Sequence, residues 1–201
     1  MQGETVARAY TKTKRASKER ETHTRIISAA LALYESAGPS ATTISAVAET
    51  ASVQRLTVYR HFPQETDLLT KSLAVWFEQN PMPDPVDWRD DVSPENWPIA
   101  ILSMLYSYYT DTARFWSSVL ADRIRLPELD NVLMAYDTRL REMQSDILMH
   151  LPEQRRQSML CRSVVLHAVQ FSTWQSLAAN DLDTVELAAL MEDWIQRCPV
   201  G

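Results

Sequence analysis

The chain has 201 residues, 45% of them hydrophobic, which is enough to bury a substantial core in one small and one larger unit. Its formal net charge of -6 argues against a protein that coats nucleic acid nonspecifically. No apolar run approaches the ~20 residues of a membrane span, and no secretory signal is recognisable. With two cysteines that fit a reducing compartment, we expect a cytoplasmic protein with no membrane partner.

Glycine is scarce, with residues only at positions 3, 38 and 201. A glycine-rich phosphate loop therefore cannot form after the first predicted helix, and tight β-hairpins would lack their usual turn residues. Apolar residues instead recur with helical spacing. We predict an all-α fold, in which a small helical domain is followed by a larger one, and we expect no cofactor.

Residues 1–20 hold six Lys and Arg but show no apolar periodicity, which predicts a flexible basic arm that cannot build a core. Two interpretations of this arm remain. It is a solubilising tail, or Lys14 or Arg15 lies along the minor groove or backbone of a bound duplex, as terminal arms of some DNA-binding modules do.

Residues 21–80 predict a group of short helices. The first, TRIISAALALYESAG, ends at Gly38 and Pro39, and its apolar stripe is formed by Ile26, Ala30 and Leu33. Thr43 can cap the next helix. The inward side chains of that helix are Ile44, Val47 and Ala48, and residues 51–53 then form a tight turn.

The helix after this turn keeps Val58 and Phe62, four residues apart, on its inner face. Its other side chains include donors, acceptors and a cation: Gln54, Arg55, Thr57, Tyr59 and His61. On a duplex, Arg can pair bidentately with guanine, Gln with adenine, and a Thr methyl can contact the thymine methyl, whereas Tyr and His suit phosphate. The alternative interpretation is an ordinary solvated helix face.

The segment from about Thr22 to Asn80 resembles the amino-terminal domain of the TetR family of transcriptional repressors. The resemblance runs through the first helix, the supporting helix in ATTISAVAETASV, and LTVYRHFPQETDLL, which includes the paired leucines Leu68 and Leu69 of a fourth helix. It implies a helix-turn-helix in which Thr43 lies near the DNA backbone and Ser45 faces DNA. It also implies that the major groove takes Gln54, Arg55 and Thr57, and that Tyr59 and His61 hold phosphate.

Two positions depart from the family pattern. The turn usually holds glycine where this chain has Ser52, so a left-handed backbone there costs of order 1 kcal/mol. The fourth helix commonly begins with lysine, where Glu65 stands here. A carboxylate suits a helix amino terminus, but it removes one phosphate contact and adds repulsion. We therefore expect an unusual DNA affinity or sequence preference.

Charge is distributed unevenly along the chain. Residues 1–80 carry 10 Lys and Arg against 8 Asp and Glu, whereas residues 81–201 carry 10 against 18. All four lysines lie in the first segment. This distribution predicts local contact with DNA through the amino-terminal end rather than a basic surface over the whole protein.

Five prolines fall between residues 81 and 98 and end any helix that leaves the first domain. We predict a stiff, extended connector over 81–98, between a DNA-binding domain over 21–80 and a helical effector-binding and dimerisation domain over 99–201. Trp88 and Trp97 indicate that part of this connector docks onto another element, because large aromatic rings in a linker usually pack against something.

Helical periodicity continues beyond Pro98. The predicted helices cover residues 99–110, residues 112–125 with Asp111 as cap, a helix from Pro127 through Ile147, and residues 152–179 and 183–198. The last two carry apolar stripes, formed by Leu160, Val164, His167, Phe171, Trp174 and Ala178 and by Leu187, Met191 and Trp194. These stripes are intramolecular core, or they form a four-helix interface between two subunits. The family resemblance favours a homodimer.

Aromatic and methionine side chains crowd the middle helices, where most are expected to be ordinary core. Several could line a cavity for a small apolar or aromatic effector, because Tyr and Trp carry polar tips and Met adapts to irregular shapes. The family resemblance implies such a cavity. The candidate ligand-binding residues are Met104, Tyr108, Tyr109, Phe115, Trp116, Met134, Tyr136, Met143, His167 and Trp174. His167 either bonds an effector or satisfies a neighbouring carbonyl.

These observations together predict a ligand-responsive homodimer, a repressor that a small-molecule effector releases from a palindromic operator in double-stranded DNA. No nucleophile, base and orienting group can be assembled, and no His, Cys or Asp pair has a further ligand at supporting spacing. We therefore expect neither an enzyme nor a metal site. The alternatives are an all-helical enzyme or small-molecule carrier that uses Asp111, Arg114, Cys161 or His167, and a ligand-free architectural DNA-binding protein.

Overall fold

The computed structural model describes the backbone of residues 3–180 and 182–199, and the side chains of residues 14–180 and 182–199. Within these ranges the fold is all-α, as predicted, and no strand is present. The helices are α1 (Gly3–Ala37), α2 (Ile44–Thr50), α3 (Arg55–His61), α4 (Glu65–Gln79), α5 (Pro85–Arg89), α6 (Trp97–Asp122), α7 (Glu128–Met149), α8 (Glu153–Gln157), α9 (Met159–Ala168), α10 (Phe171–Ala178) and α11 (Thr184–Arg197).

The chain divides into two compact units. The amino-terminal unit comprises Met1–Gln79 together with Ser118–Glu128, and the carboxy-terminal unit comprises Asn80–Ser117 and Leu129–Gly201. The division therefore falls within α6 and at the beginning of α7. The predicted domains instead placed residues 118–128 in the second domain and set residues 1–20 and 81–98 apart as separate segments. No helix of the described residues is both long enough and apolar enough to cross a membrane.

The first helix is longer than predicted. α1 begins at Gly3, so residues 3–20 are helical where an irregular arm was expected. The physical reason is composition, because this segment is rich in Ala, Arg, Lys and Glu and contains no proline or glycine between Glu4 and Ala37. Of the basic residues assigned to the arm, the side chains of Arg8 and Lys12 lie outside the described residues, whereas Lys14 and Arg15 are exposed.

The core of the amino-terminal unit joins α1, α2, α3 and α4. Its buried side chains come from all four helices: Ile26, Ala30, Tyr34, Val47, Val58, Phe62, Leu68, Leu69 and Leu73. Short helices of seven residues, such as α2 and α3, have little stability of their own, so their position depends on this shared burial.

Gly38 ends α1 as predicted, with φ of 87° and its N–H donating to the Tyr34 carbonyl at 3.0 Å. A second constraint acts at the same residue. The buried Asp122 carboxylate accepts hydrogen bonds from the Ser40 backbone N–H at 2.8 Å and the Ser40 hydroxyl at 2.6 Å. A Cβ added at Gly38 would lie 2.4 Å from Oδ2 of Asp122. Both backbone conformation and space therefore require glycine.

The connector over 81–98 is not an extended spacer, because it contains α5. Asp84 caps α5 in a capping box with Asp87. Trp88 is fully buried, and its Nε1 donates to Asp146 at 2.8 Å. Arg89 donates to both oxygens of Asp146 at 2.9 Å. These hydrogen bonds hold α5 on α7, in agreement with the expectation that the tryptophan docks.

Two parts of the carboxy-terminal unit differ from the predicted helices. α6 runs without interruption through Asp111, because no proline or glycine lies between Ile99 and Asp122 and Thr112 donates its hydroxyl to the Tyr108 carbonyl inside the helix. The long helix expected over residues 152–179 is instead divided into α8, α9 and α10. At the second break, buried tyrosine hydroxyls take the freed carbonyls: Tyr106 donates to Ala168 and Tyr109 to Val169.

We expect Gly38→Ala to lower the free energy of unfolding by at least about 2 kcal/mol. A left-handed backbone alone costs a side chain about 1–2 kcal/mol, and the new methyl group would also displace the Asp122 carboxylate. Urea denaturation followed by circular dichroism measures this change. Ser36→Ala, at an exposed position of α1, is the control and should change stability by less than about 0.5 kcal/mol. Equal stability of the two variants would contradict the conclusion that position 38 requires glycine.

Candidate nucleic-acid interface

The amino-terminal unit contains a helix-turn-helix made of α2, residues 51–54 and α3. Thr43 is the N-cap of α2, with extended backbone, and its hydroxyl accepts a hydrogen bond from the Ala46 N–H at 3.2 Å. The predicted capping role is therefore confirmed. Thr43 and Ser45 are both exposed at this end of α2, so they are accessible to a binding partner.

The turn between the two helices has the left-handed residue that was predicted. Ser52 has φ of 53° and is the one non-glycine residue with positive φ in the described chain. Its N–H donates to the Glu49 carbonyl at 3.0 Å, and the Val53 N–H donates to the Ala48 carbonyl at 2.9 Å. This pair of bonds is the Schellman motif, which usually takes glycine at the left-handed position. Serine in this conformation has a higher backbone free energy than glycine would have.

α3 is fixed by Val58 and Phe62, which are both fully buried. The N-cap Gln54 has extended backbone and makes no side-chain capping bond, so its amide remains available. Gln54 and Arg55 are exposed, whereas Thr57 is half-buried. The three residues predicted for the major groove therefore begin α3 at the surface, although Thr57 contributes less of its side chain.

Two outward residues of α3 were missed by the sequence analysis. Leu56 is 78% exposed and Arg60 is also exposed. At about 100° per residue, these two side chains lie most directly opposite Val58 and Phe62. Leu56 is apolar, so its residue type does not indicate a surface position, whereas its helical phase does. The helical period would have identified both residues.

The predicted phosphate-contacting residues differ in exposure. Tyr59 is 37% exposed, and His61 is half-buried. The Nε2 atom of His61 is buried and has no hydrogen-bond partner among the described residues. His61 borders a cleft between α1 and α3, which is lined by Arg15, Lys18, Glu19, Thr22, Arg60 and His61. Three of these six side chains are cations, so the cleft is suited to an anion.

His61 also lies against a small aromatic group. His23 stacks on Phe62 with ring centroids 4.7 Å apart, and the His61 ring is 5.9 Å from that of His23. The Lys71 ammonium lies 5.7 Å from the centre of the Phe62 ring. Burial, with the nearby His61 and Lys71, lowers the pKa of His23, so that this imidazole is neutral at pH 7.

Glu65, the second departure from the family pattern, begins α4 and borders a cavity of about 160 Å³ within the amino-terminal unit. The buried Tyr34 also lines this cavity, and burial together with the Glu65 carboxylate raises the pKa of Tyr34. Glu65 stands in the first turn of α4, where its charge is favourable to the helix. Glu65 therefore does not provide the positive charge that the family's usual lysine would place at the start of α4.

Most of the predicted effector-binding residues form one buried group. Tyr108, Tyr109, Phe115, Trp116, Tyr136, Met143 and Trp174 are all at most 8% exposed. The Tyr109 and Tyr136 hydroxyls are 2.9 Å apart, Trp116 donates to the Tyr108 hydroxyl at 3.2 Å, and the Trp116 and Tyr136 rings are 4.1 Å apart. Burial raises the pKa of Tyr108 and Tyr109, so both hydroxyls remain neutral donors.

Three of the predicted effector-binding residues are not fully buried. Met134 is 60% exposed, Met104 is half-buried and His167 is exposed. Trp174 is buried, but its Nε1 has no hydrogen-bond partner among the residues that the structure describes. The buried group therefore contains one unsatisfied donor, on α10, beside the rings of Tyr109 and Phe171.

His167 instead lines an apolar groove of about 430 Å³ on the carboxy-terminal unit. The groove is formed by α9, α10 and α11 and the segment after them, through Leu160, Ser163, Val164, His167, Thr173, Met191, Trp194, Cys198 and Pro199. Leu160 is 55% exposed and Trp194 is 51% exposed. Apolar side chains of this size on two neighbouring helices form a surface suited to protein contact.

Two of the groups considered for metal binding and catalysis, Asp146 and Cys161, have structural partners. Asp146 is held by Trp88 and Arg89 rather than paired with His150. Cys161 and Cys198 are free buried thiols, and Cys161 contacts the Cys198 carbonyl at 3.8 Å. Within the described ranges, no three His, Cys, Asp or Glu side chains are grouped as a metal would require.

Comparison with known proteins gives consistent matches. Residues 26–71 match the family model described as bacterial regulatory proteins, tetR family. The chain is 35% identical over 92 residues to the transcriptional repressor KstR of Rhodococcus jostii, covering 46% of this chain and 41% of KstR. It is 31% identical over 108 residues to the uncharacterized HTH-type transcriptional regulator TtgW of Pseudomonas putida, covering 53% of this chain and 78% of TtgW.

The transcriptional regulator SrpR, also of Pseudomonas putida, is 32% identical over 108 residues, which cover 53% of this chain and 49% of SrpR. The chain thus spans less than half the length of KstR and SrpR. Among solved structures, a TetR-like transcriptional regulator from a Rhodococcus species has a TM-score of 0.63 at 15% identity, covering 88% of this chain and 94% of that one. This similarity shows a shared fold.

We expect Ser52→Gly to raise the free energy of unfolding by about 0.5–1 kcal/mol. Glycine removes the cost of the left-handed backbone, which its greater freedom in the unfolded chain partly offsets. The Ser52 side chain is exposed, so no buried contact is lost. Ser45→Gly is the matched control, because the same change within α2 should destabilise. Destabilisation of both variants in urea titrations would contradict the role given to Ser52.

Proposed function

The chain belongs to the TetR family of bacterial transcriptional regulators, and on this premise we propose that it is a homodimeric repressor that a small molecule releases from a palindromic operator. The observation that carries this proposal is the presentation of α3. Its inner residues Val58 and Phe62 are fixed in the core, and its polar residues Gln54 and Arg55, at the beginning of the helix, are exposed. A helix held in this way is suited to the major groove.

Base contacts are assigned to the first turn of α3. Arg55 can pair bidentately with guanine and Gln54 with adenine, whereas Thr57 offers a methyl group and a hydroxyl. Both Arg55 and Gln54 are exposed and have no role in the core, which supports their assignment to recognition rather than stability. Thr43 and Ser45, at the exposed end of α2, are assigned to the neighbouring DNA backbone.

Phosphate contacts are assigned to the cleft between α1 and α3 and to Tyr59. The cleft gathers Arg15, Lys18 and Arg60, and the unpartnered Nε2 of His61 lies beside them. An anion there would meet three cations and a ring nitrogen. Because Arg15 and Lys18 belong to a helix, they would contact the backbone beside the groove from a more rigid position than a flexible arm provides.

Dimerisation is assigned to the apolar groove of α9, α10 and α11. One seven-residue helix contacts too few base pairs for a specific site, so two copies about 34–36 Å apart are required. The groove is apolar and borders exposed Leu160 and Trp194. A second copy of the same surface would cover both residues, in a self-complementary interface of two helices from each subunit.

An effector site is assigned to the aromatic group of α6, α7 and α10. The unsatisfied Nε1 of Trp174 could donate to a polar atom of a ligand that enters beside Tyr109 and Phe171. A ligand that prefers one spacing of the two DNA-binding units by ~3 kcal/mol would change operator affinity by more than a hundredfold. The effector is therefore expected to be small and largely apolar or aromatic.

We expect Arg55→Ala to weaken operator binding by about 5- to 150-fold for each half-site, which corresponds to the ~1–3 kcal/mol of a bidentate base contact. Tyr59→Phe should weaken it less, because a single phosphate hydrogen bond is lost. Fluorescence anisotropy with a selected palindrome measures both. Arg141→Ala, which removes an exposed arginine of α7, is the matched control. Unchanged affinity of Arg55→Ala would contradict its role.

We expect Trp194→Asp to convert the dimer to a monomer, because the partly exposed indole lies in the apolar groove and a carboxylate there would be desolvated by the partner. Sedimentation velocity measures the change. Val185→Asp is the matched control, since Val185 is 69% exposed on the same helix but lies outside the groove. If both variants sediment as dimers, the interface lies elsewhere.

A further inference from the structure

Leu56 is the large apolar side chain that α3 presents outward, at 78% exposure. An exposed leucine has no significance by itself, because most protein surfaces contain them. The position of this leucine is informative. It stands between Arg55 and Thr57, in the first turn of the helix proposed to enter the major groove.

The geometry of α3 directs Leu56 away from the core. Val58 and Phe62 are fully buried on one side, and Leu56 and Arg60, four residues apart, occupy the opposite side. In helix-turn-helix proteins the amino-terminal residues of the recognition helix contact base edges. Leu56 therefore lies where a base edge would meet it, whereas Arg60 follows one turn later, in the cationic cleft.

The chemistry of the major groove limits what Leu56 can contact favourably. Base edges there present mainly hydrogen-bond donors and acceptors, and the largest apolar group is the C5 methyl of thymine, where cytosine has only a C5–H. A leucine against any other base edge would remove water from a donor or acceptor and return no hydrogen bond. An apolar side chain at this position thus favours thymine and disfavours the other bases.

We propose that Leu56 is a specificity-determining residue that contacts the C5 methyl of a thymine in each operator half-site. This inference rests on the proposed function, because it requires α3 to lie in the major groove. Twofold symmetry makes the contact occur twice in each complex, so a selected operator should contain thymine at one symmetric pair of positions.

The test removes the methyl group and nothing else. In a selected palindrome, each symmetric pair of thymines is replaced in turn by uracil, which keeps every hydrogen-bonding atom. For one pair, affinity of the unmodified protein should fall by about fourfold per methyl, and so by roughly 15-fold in total, which is the fold-change for ~0.8 kcal/mol at each buried methyl. Fluorescence anisotropy measures each affinity.

Leu56→Ala should bind the unmodified operator more weakly and should lose its response to uracil at that same pair. This loss of response is the coupling that a double-mutant cycle detects. Leu56→Met should retain the response, because it keeps an apolar side chain of similar length. Thr57→Ala should also retain it, which separates Leu56 from the neighbouring methyl-bearing residue. Because Leu56 is exposed, its truncation removes no core contact, and circular dichroism verifies the fold.

The outcomes are distinguishable. If the protein binds its operator but no uracil pair changes the affinity, or if Leu56→Ala retains the full response, the inference about Leu56 is wrong and the proposed function stands. A response that disappears in Thr57→Ala instead assigns the contact to Thr57. If the unmodified protein binds no DNA, the proposed function fails and the role of Leu56 fails with it.

Discussion

The burial of Val58 and Phe62 is the constraint on which the remaining interpretation depends. α3 has seven residues and cannot persist alone, because a helix of that length does not offset the cost of nucleation. Its direction is set by two fully buried side chains, each of which contributes roughly 1.5–3 kcal/mol. The Schellman turn at Ser52 then fixes where the helix begins. Exposure of Leu56 and Arg60 follows from this anchoring.

Structural features that depend on residues adjacent in the chain could be predicted from the sequence, whereas features that depend on distant contacts could not. The stop at Gly38, the cap at Thr43 and the left-handed Ser52 were predicted correctly, because each depends on residues adjacent in the chain. The break between α9 and α10 was not, because the carbonyls freed at Ala168 and Val169 are bonded by tyrosines about 60 residues away. Contacts of that separation leave no periodic signal.

The sequence analysis named most of the exposed polar residues of α3 but missed Leu56 and Arg60. Classifying residues by type assigned Leu56 to no surface, although its phase relative to Val58 places it opposite the core. The residues predicted to bind an effector show the reverse limitation. Crowding of aromatic residues located a real cluster, but the pairing of Tyr109 with Tyr136 and of Trp116 with Tyr108 could not be derived from spacing. Met134 and His167 are exposed and are therefore not part of that buried cluster.

The central claim is that α3 lies in the major groove of a duplex, once in each half of a symmetric pair. Selection of bound fragments from a random DNA pool by the full chain tests it most directly. The account predicts enrichment of an inverted repeat whose half-sites are centred one helical turn apart, about 34–36 Å, or a multiple of that distance. Recovery of fragments without a common sequence, or of a single unrepeated site, would contradict it.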